Sequence, residues 1–233
     1  QRVGSIQEDD DQRGLAHFLE HMCFNGTKHF PGDGLKQYLE SIGVKFGENL
    51  NAYTAFDETV YNIDDVPVTP ENVDSVMFIL QDWANGLLLL EEEIDKERGV
   101  IHEEWRLGNA ITRMIEKHGA KIYPGSKYGE RLPIGTIEVI DNFKYSELRD
   151  YYTKWYRPDL QGIVVVGDID VDQMEQKIKN LFGPIKMPAN AAPLEYYPVP
   201  DNEQPIFVSH TDKEMPAELV WAFVKYDILP REI

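Results

Sequence analysis

The pentapeptide His17-Phe18-Leu19-Glu20-His21 constrains this chain more than any other stretch of its 233 residues. Residues four apart stand on the same side of an α-helix, so a helix here would project both imidazoles together with a carboxylate beside them. Leu15, Phe18, Leu19 and Met22 recur at helical spacings, which predicts a helix over Arg13–Phe24 with an apolar face toward a core. The acidic run EDDDQ just upstream can supply the negative charge that a helix start favours. Composition alone would produce such a five-residue match about 0.03 times in a chain with six histidines, so the pattern is fairly specific. A catalytic zinc needs three protein ligands and one open position, and this residue order is the inverted zincin motif. His17 and His21 are therefore candidate metal ligands, and Glu20 is a candidate base. The plainer alternative is a surface helix bearing two solvated histidines and a salt-bridged glutamate.

One cysteine, Cys23, excludes an internal disulfide and a multi-cysteine metal cluster, so any metal site must use histidines and carboxylates. Cys23 would point about 200° around the helix from His21 and reads as a small core residue. His29, His118 and His210 lack a neighbouring ligand pattern and read as surface or hydrogen-bonded residues. A formal charge of −18 repels nucleic acid and anionic lipid and could attract basic peptide segments. No apolar run approaches the ~18 residues of a membrane span, so none is expected. The chain opens on Gln1 with no charged-then-apolar leader, and we expect either a removed signal or an excised piece of a longer protein.

Further along, a helix is predicted over Asp33–Ser41, stopping at Gly43. Two extended segments follow, VKFGENLNAYTAF and ETVYNIDDV, with Asp57 near the turn between them. Thr69-Pro70 opens an amphipathic helix through Val73, Val76, Met77, Leu80 and Trp83, closed by the LLLL run. EEEIDKERGVIHEEWR continues as a long helix whose Ile94, Ile101 and Trp105 should face the core. After a loop, YPGSKYGERLPIG, come a helix around 146–155, a buried strand GIVVVGDI and a helix over Val171–Phe182. Prolines recurring from Pro184 to Pro205 suggest an interdomain connection, and PIFVSHTD and ELVWAFVKYD read as two more strands. The expected fold is α+β, a mainly antiparallel sheet packed with helices. Its expected divisions are one domain over 1–187, a linker over 188–204 and the first strands of an incomplete second domain over 205–233.

Four blocks, GLAHFLEHMCFNGT, NAYTAFDETVYNID, EIDKERGVIHEEWR and YYTKWYRPDLQGIVVVGDID, resemble successive segments of the pitrilysin/insulinase family of zinc metallopeptidases. The resemblance covers roughly residues 4–185 and implies a metallopeptidase half-unit, a bound Zn2+ and hydrolysis of peptide bonds in peptides or unfolded segments. In that family the third ligand is the second glutamate of a Glu-x6-Glu pair, a spacing that Glu97 and Glu104 match. Seven residues make nearly two helical turns, so Glu97 would share the face of Glu104 and could orient a ligand or the catalytic water. Glu103, rotated by about 100°, is the alternative ligand, and His102 faces largely the other way. Glu104 follows His21 by 83 positions, more than the family suggests, with the extra length around KFGEN.

The NAYTAF segment resembles the family's exposed edge strand, which makes Asn51, Ala52 and Tyr53 candidate substrate-binding residues through backbone pairing. An ordinary edge strand is the plainer reading. The family also implies an arginine and a tyrosine from a related downstream half, on this protein or on a homologous subunit, to stabilise the oxyanion. This chain alone would then cleave peptides poorly. Bacterial periplasmic members make the periplasm the expected compartment. A noncatalytic scaffold or peptide-binding subunit of the same fold is the alternative, opposed by the retained cluster of mutually repelling carboxylates.

Overall fold

The structure, a computed structural model, describes residues 1–214, 220 and 222. Helix α1 spans Leu15–Met22 and α2 spans Gly34–Ser41. Strands β1 (Leu50–Thr54) and β2 (Thr59–Ile63) follow, then α3 (Pro70–Asn85), α4 (Glu91–Arg106), α5 (Ala110–Ile122), α6 (Ile137–Asn142), α7 (Tyr145–Trp155) and α8 (Val171–Phe182). The fold is α+β, with eight α-helices and one antiparallel β1–β2 pair among the described residues, α1 packing against β1.

Helix α1 begins at Gly14, whose φ of +106° is a left-handed conformation that favours glycine. No side chain at that position caps the helix, yet its first amides are satisfied from within the acidic run. The buried Glu8 accepts from the Gly14 amide at 3.0 Å and from the Ala16 amide at 2.9 Å, a side-chain carboxyl cap on the helix start. A Cβ placed on Gly135 would stand 2.3 Å from the Gly14 Cα, so the chain before α6 lies directly on this start. Leu15, Phe18, Leu19 and Met22 are buried, and Phe18 meets Phe143 edge-on with centroids 4.9 Å apart.

Three glutamates open α4 and complement its dipole. Ile94 and Ile101 are fully buried, and the Arg98 guanidinium lies 3.9 Å above the Phe143 ring. Trp105, expected on the same buried face, is 42% exposed. It shares their angular position, but residues 103–107 are all exposed, so the last turn runs beyond the elements that cover the rest. In α3 the Thr69 hydroxyl accepts from the Asn72 amide at 3.2 Å with Pro70 at the first helical position. Strand register pairs Leu50 with Ile63 and Thr54 with Thr59, and the tight turn through Asp57 is closed by an Ala55 N–H donating to the Glu58 carbonyl at 2.8 Å.

Helices α5 and α6 were not anticipated. Only Ala110 and Gly119 of α5 and Ile140 of α6 are buried, so little of either declares itself as core. The expected buried strand GIVVVGDI is not a strand, and Val164 and Val166 are 85% and 90% exposed. An apolar run becomes a strand only beside a hydrogen-bonding neighbour, and among the described residues the one sheet is the two-stranded β1–β2 pair, which this run does not join. PIFVSHTD likewise forms no strand, with Phe207 81% exposed, and ELVWAFVKYD lies, but for residues 220 and 222, outside the described residues. The proline-rich stretch from 184 to 205 holds no helix or strand and is tied down by Ser126 Oγ donating to the Pro198 carbonyl and Arg157 Nη2 to the Ala192 carbonyl, at 2.9 and 2.6 Å. No helix among the described residues is long and apolar enough to cross a membrane.

Candidate metal centre

Packing of α1 on α4 brings His17 and His21 of one helix against Glu104 of the other. The two Nε2 atoms are 3.2 Å apart, His17 Nε2 is 3.5 Å from Glu104 Oε1, and His21 Nε2 is 3.4 Å from Glu104 Oε2. A tetrahedral ion with bonds of about 2.1 Å has ligand–ligand edges of about 3.4 Å. Glu104 meets each imidazole through a different oxygen, one ligand atom from each of the three residues lies within 4.8 Å of the others, and the two-imidazole, one-carboxylate donor set suits zinc.

Glu97, nearly two turns before Glu104, is buried and accepts from His21 Nδ1 at 2.7 Å. In the neutral ring that bond favours the proton on Nδ1, which leaves the Nε2 lone pair for a metal on the side of His17 and Glu104. His17 Nδ1 is buried without a hydrogen-bond partner. Glu20 is buried on the same helix, and its Oε2 accepts from the Thr54 hydroxyl of β1 at 2.5 Å.

The charges are strongly perturbed. Burial, helped by the neighbouring His21, pushes His17 down to about 4. Burial alone would lower His21 too, but hydrogen bonds and charge from Glu104 and Glu97 outweigh it and leave the ring at about 9. Metal binding would displace the proton held there. Burial raises Glu20 against the opposing Thr54 hydrogen bond. In Glu97 burial is outweighed by His21 and Asn25, and in Glu104 the His21 hydrogen bond dominates, so both sit below the usual carboxylate range.

The remaining candidates fall elsewhere. Glu103 is exposed and paired with Arg106 at 2.9 Å, and His102 bonds Asp141 at 2.6 Å, so neither joins the cluster. Cys23 is buried in the core, its thiol donating to the Tyr61 hydroxyl at 3.2 Å and pushed well up by burial. Asn51, Ala52 and Tyr53 lie on β1 directly before Thr54. Their polar side chains bond away from the metal cluster, Asn51 to the Glu48 carbonyl at 3.4 Å and Tyr53 to Glu58 at 2.9 Å. Two participants escaped the sequence reading, Thr54 and Asn25, whose amide bonds Glu97 Oε2 at 2.5 Å. Asn25 follows His21 by four positions, the spacing that pairs His17 with His21, and Thr54 directly follows the NAY triplet.

A family model described as Insulinase (Peptidase family M16) matches residues 2–118, and one described as Peptidase M16 inactive domain matches residues 142–232. The chain belongs to the insulinase peptidase family. It is 39% identical over 191 residues to the "Probable zinc protease PqqL" of Escherichia coli strain K12, covering 82% of this chain and 20% of that protein. The crystal structure of the first half of the periplasmic protease PqqL from Escherichia coli superposes with a TM-score of 0.80 and 36% identity, covering 86% of this chain and 43% of that one. Pitrilysin superposes with a TM-score of 0.67 and 25% identity, over 83% of this chain and 21% of that one. The chain spans about a fifth of the length of the PqqL relatives it matches. This is a zinc metalloprotease family, and zinc is the cofactor of its members.

Proposed function

We propose that this chain is the zinc-bearing amino-terminal part of a metalloendopeptidase that hydrolyses peptide bonds in peptides or unfolded polypeptide segments. The carrying observation is the convergence of His17, His21 and Glu104, with the two Nε2 atoms 3.2 Å apart, each imidazole 3.4 to 3.5 Å from a Glu104 oxygen, and one ligand atom from each residue within 4.8 Å of the others. Bound zinc would supply Lewis acidity and bring the pKa of a coordinated water toward ~7. Glu20 takes the proton of the attacking water and passes it to the leaving amine. Its buried setting, with a raised pKa, suits a carboxylate that must hold a proton during turnover. Thr54 fixes one Glu20 oxygen, and Glu97 keeps His21 in the tautomer that presents Nε2.

Asn51, Ala52 and Tyr53 are proposed to pair with substrate backbone as an added strand, a reading supported by β1 having β2 as its strand partner and by Thr54 reaching Glu20. The proposed organisation is a zinc-bearing domain over 1–187, a linker over 188–204 and the opening of a second domain at 205. The match to the first half of a longer protease supports a downstream half that supplies oxyanion stabilisation, on the same polypeptide or a homologous subunit. The periplasmic Escherichia coli relative supports a periplasmic site of action. The test is zinc content of the purified chain beside His17→Ala, His21→Ala and Glu104→Ala, with cleavage of a quenched-fluorescent peptide measured with and without the downstream half. Expected are one zinc in the parent, none in the variants, and hydrolysis only when both halves are present. Zinc retained at parent stoichiometry by Glu104→Ala would overturn the ligand set, and a fragment as active as the full-length protein would overturn the need for the second half.

A further inference from the structure

We infer that Asn25 and Lys36 are positioning residues for the metal centre, forming with Phe46 a relay that fixes Glu97 behind His21. The inference rests on the zinc reading above. Glu97 has two oxygens and two donors: His21 Nδ1 at 2.7 Å on Oε1 and the Asn25 amide at 2.5 Å on Oε2. Asn25 Oδ1 in turn accepts from Lys36 Nζ at 3.4 Å. The order of groups admits no reversal. An ammonium only donates and an ionised carboxylate only accepts, so the group between them must do both, and a side-chain amide does.

The spacer has a purpose. A lysine in direct contact with Glu97 would place a full positive charge beside the carboxylate and compete with the His21 N–H for it. Through Asn25 the ammonium orients the relay while Oε1 stays committed to His21. Lys36 is itself held, since Phe46 presents its ring 5.8 Å from the ammonium. Phe46 is 58% exposed yet fixed in place: its ring meets Phe24 edge-on at 5.5 Å, and the Lys45 carbonyl accepts from the Asn49 and Leu50 amides at 2.9 and 3.0 Å around it. Three separate pieces of chain thus converge on one carboxylate oxygen: the segment after α1, helix α2 and the turn before β1. Loosening Glu97 frees the His21 ring to rotate and to exchange tautomers, which weakens the metal site without removing a ligand.

The experiment compares the parent with Asn25→Ala, Lys36→Met, Lys36→Arg and Phe46→Ala, with His17→Ala as control. The readouts are the zinc dissociation constant by chelator competition, the visible absorption of the cobalt(II)-substituted protein, and the circular dichroism spectrum. Asn25→Ala and Lys36→Met are expected to weaken zinc binding by about 10- to 100-fold with an altered cobalt spectrum and an unchanged fold. Phe46→Ala should give a smaller loss, and Lys36→Arg should restore parent affinity. If His17→Ala abolishes binding while Asn25→Ala and Lys36→Met keep the parent affinity and spectrum, the relay is refuted and the metal centre stands. Should Asn25→Ala fail to fold, the variants at the half-buried Lys36 decide alone. If His17→Ala binds zinc like the parent, the zinc reading itself falls and the relay with it.

Discussion

Thr54→Val removes the one hydrogen bond that ties strand β1 to Glu20 while keeping the side chain's shape and its preference for strands. The lost contact is a hydroxyl donating at 2.5 Å to a buried carboxylate. Hydrogen bonds to charged groups contribute about 1.5–3 kcal/mol, more than neutral pairs, because the ion has few other partners once buried. If that whole amount acts on the orientation and charge of the base, kcat/KM falls roughly 10- to 100-fold, since about 1.4 kcal/mol is a factor of ten. The ligands are not touched, so zinc content should stay at one per chain. The assay is steady-state cleavage of a quenched-fluorescent peptide by the protein with its downstream half, zinc being measured on the same sample. Thr54→Ser, which restores the hydroxyl, should recover most of the loss. A Thr54→Val protein with parent kcat/KM would refute the tether, and one that loses zinc would mean that β1 supports the ligands rather than the base.

Glu20→Gln should keep zinc and lower kcat/KM by about 10² or more, because the amide cannot take the proton; loss of zinc instead would make Glu20 a ligand. Phe18→Ala should destabilise the chain by about 3–5 kcal/mol in urea unfolding, because removing a fully buried ring packed against Phe143 leaves a cavity in the core. Burial raises Glu8 from 4.5 to about 8, so between those values the folded chain keeps a proton that the unfolded chain has released. This contribution to stability is complete below about pH 4.5 and is lost as pH rises toward 8. Over two pH units inside that window it amounts to at most about 2.7 kcal/mol. Metal-free parent and Glu8→Ala, unfolded in urea at about pH 5.5 and 7.5, should therefore differ in slope, the parent losing more stability on going up; parallel slopes would refute the shift.

What the sequence disclosed followed how local each contact is. His17, Glu20 and His21 were readable because one helical repeat places them together, and the Thr69 cap because it involves residues three apart. Glu104 carries no local mark that separates it from Glu103. Family resemblance singled it out, and only the packing of α4 on α1 turns it toward the imidazoles. Thr54 and Asn25 act across 34 and 72 positions of sequence, distances over which periodicity says nothing. Apolar patterning misled in one consistent way. It ranks residues by what would gain from burial, and Trp105, Val164, Val166 and Phe207 all qualify, but it carries no information about whether a partner covers them.

That division has a consequence for how the parts depend on each other. Every group proposed to touch the metal lies on α1 or α4, and those helices are held by the Glu8 cap on α1, the Phe18–Phe143 pair, Arg98 over the same ring, and α7, whose Tyr145 hydroxyl donates to Asp95 at 2.8 Å. None of these contacts runs through the exposed segments at 162–169 or 205–212. Metal loading should therefore be a property of the α1–α4 unit, insensitive to what those apolar segments meet in the longer protein. Hydrolysis has a different requirement, because stabilising the oxyanion needs donors fixed opposite the metal, and each such donor contributes about 10²- to 10³-fold. Zinc binding and turnover are expected to separate cleanly: polar substitutions at Val164, Val166 or Phe207 leave the first intact and diminish the second only as far as they disturb docking of the downstream half.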